Sequence, residues 1–286
     1  MNILVTGGYG QLGRELEKLA VCSHEHQWFF TDVDTLDITD PDAVERCFSE
    51  HRIGVCINCA AYTAVDKAED EPEIAARVNT LAPQILAKTC LKHNALLIQI
   101  STDYVFDGNG TSPYQVDDPV NPQSVYGSTK AEGERLIRES DCKYMIVRTA
   151  WLYSTTGKNF VKTMLMLGDT KDEINVVNDQ RGCPTWAHDL AAALVALLNR
   201  NGEEPVHETF HFTNEGNITW YDFACAIMEL GGKTCKVNPI TTDQYPTKAK
   251  RPAYSVLDLS KIKEYADMKI PFWRESLVKC ILEINS

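Results

Sequence analysis

Short apolar runs alternate with amphipathic stretches through the first half of the chain, a rhythm that predicts βαβ units and a parallel sheet. Asn2 to Val5 reads as the first strand, and Leu12, Leu16 and Leu19 recur at helical spacing directly behind it. Trp28 to Thr31 is a second strand, after which Asp40-Pro41 opens a second helix with an acidic cap and a proline in the first turn. Residues 54–59 form a third strand. Ile74, Val78, Leu81 and Ile85 trace one face of the next helix, which Pro83 should kink or restart. Leu96 to Ile100 is the fourth strand, Ser124 to Arg138 a helix, and Tyr144 to Thr149 the fifth strand.

Beyond residue 150 the rhythm loosens. Strands are expected near Ile174 to Val177 and Thr209 to Phe212, with helices near 188–199, 219–230 and 274–283. The pattern predicts an α/β fold, a Rossmann-type doubly wound parallel sheet over residues 1–150. Segments near 174–212 should return to that core, and residues 151–286 should form mainly a smaller C-terminal lobe. No internal repeat or low-complexity linker interrupts the chain.

Composition narrows the function. In 286 residues, 44% are hydrophobic and 24% charged, which is ordinary for a globular protein and excludes disordered or fibrous classes. The net charge of -12, with no cluster of Lys and Arg, excludes a nucleic-acid groove, although backbone amides can still hold one phosphate in an acidic protein. The opening Met1-Asn2-Ile3-Leu4-Val5 lacks a basic leader, and no apolar run approaches the roughly 20 residues a bilayer span needs. A cytoplasmic chain without a membrane partner is therefore expected, and its ten scattered cysteines should be free thiols. Cys56 and Cys59 have the spacing of redox and zinc sites, but on a strand residues three apart point to opposite faces, so the pair should diverge. His207 and His211 sit in a strand-like run and read as structural.

The chemistry begins after the first strand. Thr6-Gly7-Gly8-Tyr9-Gly10-Gln11-Leu12-Gly13 places Gly7, Gly10 and Gly13 in a G-x-x-G-x-x-G turn ahead of a helix, where the uncapped amides offer positive charge to a pyrophosphate. Asp32 ends the second strand about 20 residues on, the offset of an acid that binds ribose hydroxyls. A carboxylate there favours NADH over NADPH. Asp37-Ile38 can flank the adenine, and Ala60-Ala61-Tyr62 follows the third strand where a dinucleotide crosses the sheet edge.

A second constellation lies further along. Tyr126 and Lys130 stand at i and i+4 on a predicted helix, so a phenol and an ammonium share one face. A Lys charge, reinforced by an oxidised nicotinamide, should lower the phenol toward working pH and fit it for acid–base work. Ser101-Thr102-Asp103 ends the fourth strand, where hydroxyls can hold a substrate carbonyl.

T-G-x-x-G-x-x-G, the upstream Ser/Thr and Y-x-x-x-K, in that order, resemble the extended short-chain dehydrogenase/reductase family. Over nearly the whole chain the likeness is to the branch whose members reduce dTDP-4-dehydro-L-rhamnose. It is carried by Gly10-Gln11-Leu12-Gly13, the run Asn58 to Glu69, the run Ser101 to Gly108, Val125 to Lys130, Arg148 to Tyr153 and Asn178 to Thr185. The resemblance implies cofactor contacts at Gly10, Gln11, Leu12, Asp32, Asp37, Ile38, Ala61, Tyr62, Thr63, Tyr126 and Lys130. It implies sugar-nucleotide contacts at Thr102, Asp103 and Trp151, with Tyr126, Lys130 and Thr102 catalytic. On this reading residues 1–150 are an NAD(P)-binding core and 151–286 mainly a substrate-binding lobe. Cys59 replaces a usual alanine, and Tyr9 replaces a basic or small residue.

The same likeness implies NADPH or NADH as cofactor, a nucleotide-sugar substrate and a homodimer. It also brings in magnesium bound by glutamates, to which only Glu15 can be matched, so no metal ligands are assigned. Three readings remain open on sequence. A dehydratase would need a second carboxylate where Tyr104 follows Asp103. An epimerase would return its hydride, and a regulatory subunit like that of methionine adenosyltransferase would bind cofactor without turnover. Arg251-Pro252 reads equally as a phosphate contact and as a surface cation.

Overall fold

The computed structural model describes residues 1–21, 25–200 and 206–286. The first half runs β1 (Asn2–Thr6), α1 (Gln11–Ala20), β2 (Gln27–Thr31), α2 (Pro41–His51), β3 (Val55–Asn58), α3 (Val65–Ala68), α4 (Pro72–Ala76), α5 (Ala82–Lys92), β4 (Leu96–Thr102), α6 (Val125–Arg138) and β5 (Lys143–Thr149). The second half adds β6 (Leu152–Tyr153), α7 (Phe160–Thr170), β7 (Glu173–Val177), β8 (Arg181–Gly182), β9 (Thr185–Trp186), α8 (Ala187–Arg200), β10 (His207–His211), β11 (Ile218–Thr219), α9 (Trp220–Leu230), β12 (Lys236–Ile240), α10 (Ser260–Ala266) and α11 (Trp273–Asn285).

Six strands form one sheet in the order β10-β5-β4-β3-β1-β2, every pairing parallel. The chain leaves β1 for β2 on one side and then returns to β3 on the other, so the order of strand addition reverses between β1 and β3, the place where such sheets open a ligand crevice. Alternation along the strands divides the core. Ile3, Val5 and Ile57 face a layer containing Leu12 and Leu16 of α1 and Leu190, Leu194 and Leu197 of α8. Leu4 and Cys56 face Val44, Phe48, Leu86 and Ile137 on α2, α5 and α6. Cys59 packs on the first layer and Cys56 in the second, so the two thiols diverge as strand geometry requires. The nine described cysteines are free, and Cys22 lies outside the described residues.

The stretch from Pro72 to Lys92 departs from its predicted face. Five residues, Arg77–Leu81, wind as a π-turn between α4 and α5, and the extra residue per turn rotates the register. Ala75, Asn79, Ala82 and Leu86 are buried, whereas Ile74 and Leu81 are exposed. The restart expected of Pro83 occurs there, with α5 beginning at Ala82 and the proline in its first turn.

The return of residues 174–212 to the core divides in two. α8 and β10 rejoin it, β10 pairing with β5. β7 does not, because it pairs with β12 in a separate parallel ribbon. That ribbon belongs to a lobe whose own core holds Tyr153, Val161, Trp186, Phe223, Ile227, Trp273 and Leu277. Helix α7, absent from the periodicity reading, shows why it escaped: Val161 and Met164 turn into the lobe while Phe160, Met164 and Leu167 also line a cleft. With two apolar faces there is no single stripe to detect.

Candidate active site

The glycine turn follows from backbone geometry. Gly7 has φ +63°, and a Cβ there would stand 2.6 Å from the Ala60 nitrogen, so only glycine lets β1 turn beneath the segment leaving β3. Gly10 caps α1 with no side-chain partner for the first-turn amides, and that turn carries no acid. These amides are available to a phosphate. The Leu12 side chain is core, so any contact it makes with a ligand is through its backbone. The side-chain oxygen of Gln11 accepts from Asn159 Nδ2 at 2.9 Å and so ties the turn to the lobe.

A cavity of about 300 Å³ opens beside the turn, lined by Gly7, Gly10, Asp32, Asp37, Ile38, Ala60 and Ala61 among others. Asp32 Oδ2 accepts the Tyr9 amide at 3.0 Å and Oδ1 the Val33 amide at 2.8 Å, which aims the carboxylate at the turn. Hydrogen bonds from Thr39 hold the Asp37 carboxyl below its ordinary range. Tyr62 is fixed by Asn79, whose amide bonds its N–H and C=O at 2.9 and 3.0 Å, while its hydroxyl donates to Glu71. Thr63 is exposed beside it. The cavity, its collision-tight glycine and its amides fit a dinucleotide.

Helix α6 carries the next group. Ser124 caps it by accepting the Gly127 amide at 3.1 Å, and Gly127 lets the helix press onto the Tyr104 carbonyl, where a Cβ would overlap it. This close approach sets Tyr126 edge-on to Tyr104, ring centres 5.5 Å apart. Burial pushes the Tyr126 phenol well above its ordinary value, the Thr102 hydroxyl opposing and Asp103 and Tyr104 adding to it. Lys130, also buried, donates to the Ile100 carbonyl at 2.7 Å, and burial lowers it to about 8. The expectation that Lys130 lowers the phenol is thus not met in the protein alone: the ammonium is engaged with Ile100 and desolvation dominates Tyr126. The phenol stays neutral at physiological pH, the form that donates a proton.

Thr102 and Asp103 end β4 beside Tyr126. Thr102 Oγ1 donates to Asp103 Oδ1 at 2.9 Å, while Oδ2 is buried without a partner. Burial raises Asp103 to about 6, with Thr102 and Ser255 opposing. Behind them Glu134, one turn past Lys130, accepts from Ser101, Arg148 and Arg138 at 2.5–3.0 Å. Burial would raise that carboxyl, but the arginines outweigh it and hold it down. Removing one partner of such a buried pair costs about 3–5 kcal/mol, so the cluster stiffens the end of β4. His211, buried against Arg148, is driven down to about 3 and is neutral.

A larger cleft of about 1000 Å³ separates core and lobe. Tyr104 and Arg251 line it, with Phe160, Trp220, Val177 and Tyr245 on the lobe side. Tyr104, which lines this cleft, packs edge-on to Tyr126, and Cys59, which lines the smaller cavity, lies near Lys130. The Tyr126, Lys130 and Thr102 group thus lies behind residues of both cavities without lining either. Trp151, with φ +49°, stacks on Trp220 at 3.7 Å; Trp220 is the partner that lines the cleft. Sequence reasoning missed Trp220, Tyr104 and Tyr245. Only Arg251 carried a signal, its place before a proline.

Magnesium does not fit at Glu15. Its buried carboxylate already accepts from Lys18, Ser154 and His188 at 2.9–3.4 Å, and among the described residues no group of three His, Cys, Asp or Glu could hold a metal. Nor is any described helix long and apolar enough to cross a membrane.

The pattern of the RmlD substrate binding domain family matches residues 1–286. A dTDP-4-dehydrorhamnose reductase of Aggregatibacter actinomycetemcomitans is 42% identical over 96% of this chain and 97% of its own length. A solved structure of the same-named enzyme from Clostridium acetobutylicum superposes with a TM-score of 0.94 at 46% identity, covering 100% of both chains. One from Bacillus anthracis, in complex with NADP, gives a TM-score of 0.94 at 35% identity over 99% of each. The chain belongs to this reductase family.

Proposed function

We propose, with that family membership as premise, that the chain is an NAD(P)H-dependent oxidoreductase that reduces the C4 ketone of dTDP-4-dehydro-L-rhamnose to dTDP-L-rhamnose. The observation that carries the reading is the buried group of Tyr126, Thr102 and Lys130, with Tyr104 of the large cleft packed on one side and Cys59 of the smaller cavity near the other. A nicotinamide cofactor seated on the glycine turn supplies the hydride. The chain's own residues do the rest. Thr102 and Tyr126 hydrogen-bond the ketone oxygen, and as charge builds on it the neutral phenol of Tyr126 gives up its proton. Lys130 holds the cofactor ribose and, once freed from Ile100, stabilises the phenolate left behind. Asp103, with its unpartnered oxygen, receives a sugar hydroxyl. Trp151 and Trp220 form an aromatic floor, and Arg251 meets the diphosphate.

Gly7, Gly10, Gln11, Leu12 and Gly13 cradle the pyrophosphate, Asp32 binds the adenosine ribose, and Asp37, Ile38, Ala61, Tyr62 and Thr63 line its path. Asp32 weights the choice toward NADH. Simple reduction is preferred to dehydration because Tyr104 stands where a second carboxylate would serve as acid or base. Free thiols at all nine described cysteines support a reducing compartment, the cytoplasm. The test supplies dTDP-4-dehydrorhamnose with NADPH or NADH, follows loss of nicotinamide absorbance and identifies the product sugar. Stoichiometric cofactor consumption with dTDP-L-rhamnose as product is expected; a sugar epimerised without net consumption would overturn the reading.

A further inference from the structure

Three cations line the large cleft; Lys67 pairs with Glu71 one turn along its own segment, and the other two, Arg251 and Lys248, have acidic partners within the cleft. Arg251 Nη2 lies 2.5 Å from Asp66 Oδ2, and Lys248 Nζ lies 2.5 Å from Asp70 Oδ2. Asp66 Oδ1 also accepts the Ala249 amide at 3.1 Å. The acids come from the α3 segment and the one behind it and the cations from the strap that follows β12, so the pairs join segments far apart in the chain. All four side chains line the cleft. A diphosphate arriving between Arg251 and Lys248 meets two cations whose charge is already cancelled, beside two carboxylates that repel it.

The pairs are built to exchange. The Asp66 side chain is 44% exposed and Asp70 53%, so water screens both contacts and each is weak. Arg251, in contrast, is anchored from behind, Nη1 donating to the Tyr104 hydroxyl at 3.0 Å. If Asp66 lets go, the guanidinium stays aimed by Tyr104, the same ring that packs against Tyr126. Arg251 presents a planar fork suited to a phosphate in place of a carboxylate.

We propose that Asp66 and Asp70 are specificity residues that compete with the substrate's diphosphate for Arg251 and Lys248, so that a ligand with two phosphates displaces them while one with none leaves the pairs intact. This rests on the nucleotide-sugar reading above. The carboxylates act as a counterweight: they keep weak anions off the cations and reserve the mouth for a ligand carrying enough charge to replace both.

Calorimetric titration of the full chain with thymidine, dTDP and inorganic pyrophosphate tests this, comparing wild type with D66N, D70N and the D66N/D70N pair. Removing the competing charge should tighten dTDP and pyrophosphate by about tenfold in the double variant, less in each single one, and leave thymidine unchanged. Thermal melting of each variant confirms that the fold is kept. Unchanged or weaker dTDP and pyrophosphate binding in folded variants overturns the proposal, as does an equal gain for thymidine. Pyrophosphate separates the two readings. If it tightens while dTDP binds no better than pyrophosphate does, the exchange stands and the thymidine-nucleotide substrate falls.

Discussion

The cavity beside the glycine turn and the cleft beneath the lobe, proposed above to take the dinucleotide and the sugar nucleotide, are made from different material. The cavity wall is Gly7, Gly10, Asp32, Ala60 and Ala61 among its lining, each within a few residues of the carboxyl end of β1, β2 or β3. Its surface is mostly backbone and short side chains. The cleft is made of long side chains, Tyr104, Phe160, Trp220, Tyr245 and Arg251, drawn from segments far apart in the chain. A cofactor site of the first kind survives change nearly everywhere except at its turn, whereas a site of the second kind changes its ligand with each side chain. A shared fold can therefore keep one cofactor while the substrate varies.

Tyr126 belongs to neither wall and serves both, so its loss should exceed any change within one cavity. Tyr126→Phe keeps the ring packed on Tyr104 and removes the proton, and turnover should fall by about a hundredfold or more, the usual size of an acid–base contribution. Cofactor affinity, read by fluorescence titration, should stay near wild type. Near-normal turnover in this variant would take the proton donor's role away from Tyr126.

The next largest effect should come from the backbone-built wall. Gly10 has an ordinary φ of -74°, and a Cβ there would come no nearer than 3.2 Å, to the Gly7 carbonyl. Gly10→Ala should therefore fold with little change in melting temperature. The added methyl stands where a pyrophosphate must approach the turn, and NAD(P)H should bind about thirtyfold more weakly, equivalent to roughly 2 kcal/mol. Affinity for dTDP should not change. If both ligands weaken together, the two cavities are less independent than their construction implies.

The same contrast decides what could be read in the sequence. Glycines at 7, 10 and 13, the acid at 32 and the pair at 126 and 130 are local patterns, fixed by strand and helix geometry within a few residues, and the structure brings their elements to one sheet edge. Trp220 and Tyr245 belong to no such pattern: each reaches the cleft because the lobe folds back over the core. The face of residues 72–92 was misplaced for a related reason. One π-turn, invisible to a period of 3.6, moved Ile74 and Leu81 out to solvent and Asn79 inward. Nor could the pairing of Lys130 with Ile100 be read, because a carbonyl leaves no mark in a list of side chains.

Lys130 gives a milder prediction that bears on the buried group behind both cavities. Its ammonium is lowered to about 8 by burial, so the charged form is complete below that pH and is lost as pH rises through it. If the charged form holds the cofactor ribose, kcat/KM for NAD(P)H should fall about tenfold between pH 7 and 9. A lysine at its ordinary value would leave the profile flat over that range. Lys130→Arg, charged throughout, should flatten the alkaline limb whatever it does to the rate.

The smallest effect sharpens the comparison at the one place where the backbone-built cavity depends on a side chain. Asp32 both lines the cavity, where the proposed function gives it the ribose, and holds the Tyr9 amide at 3.0 Å. Two unit charges about 4 Å apart in water interact by only about 1 kcal/mol, so the carboxylate should repel a 2′-phosphate modestly. Asp32→Ser should raise the ratio of kcat/KM for NADPH over NADH about fivefold, as the 2′-phosphate is no longer repelled and the NADH ribose loses its acceptor. If the two cofactors decline in step and the ratio holds, Asp32 acts on the glycine turn through Tyr9 instead of on the ribose. The cavity would then discriminate between cofactors through its backbone as well.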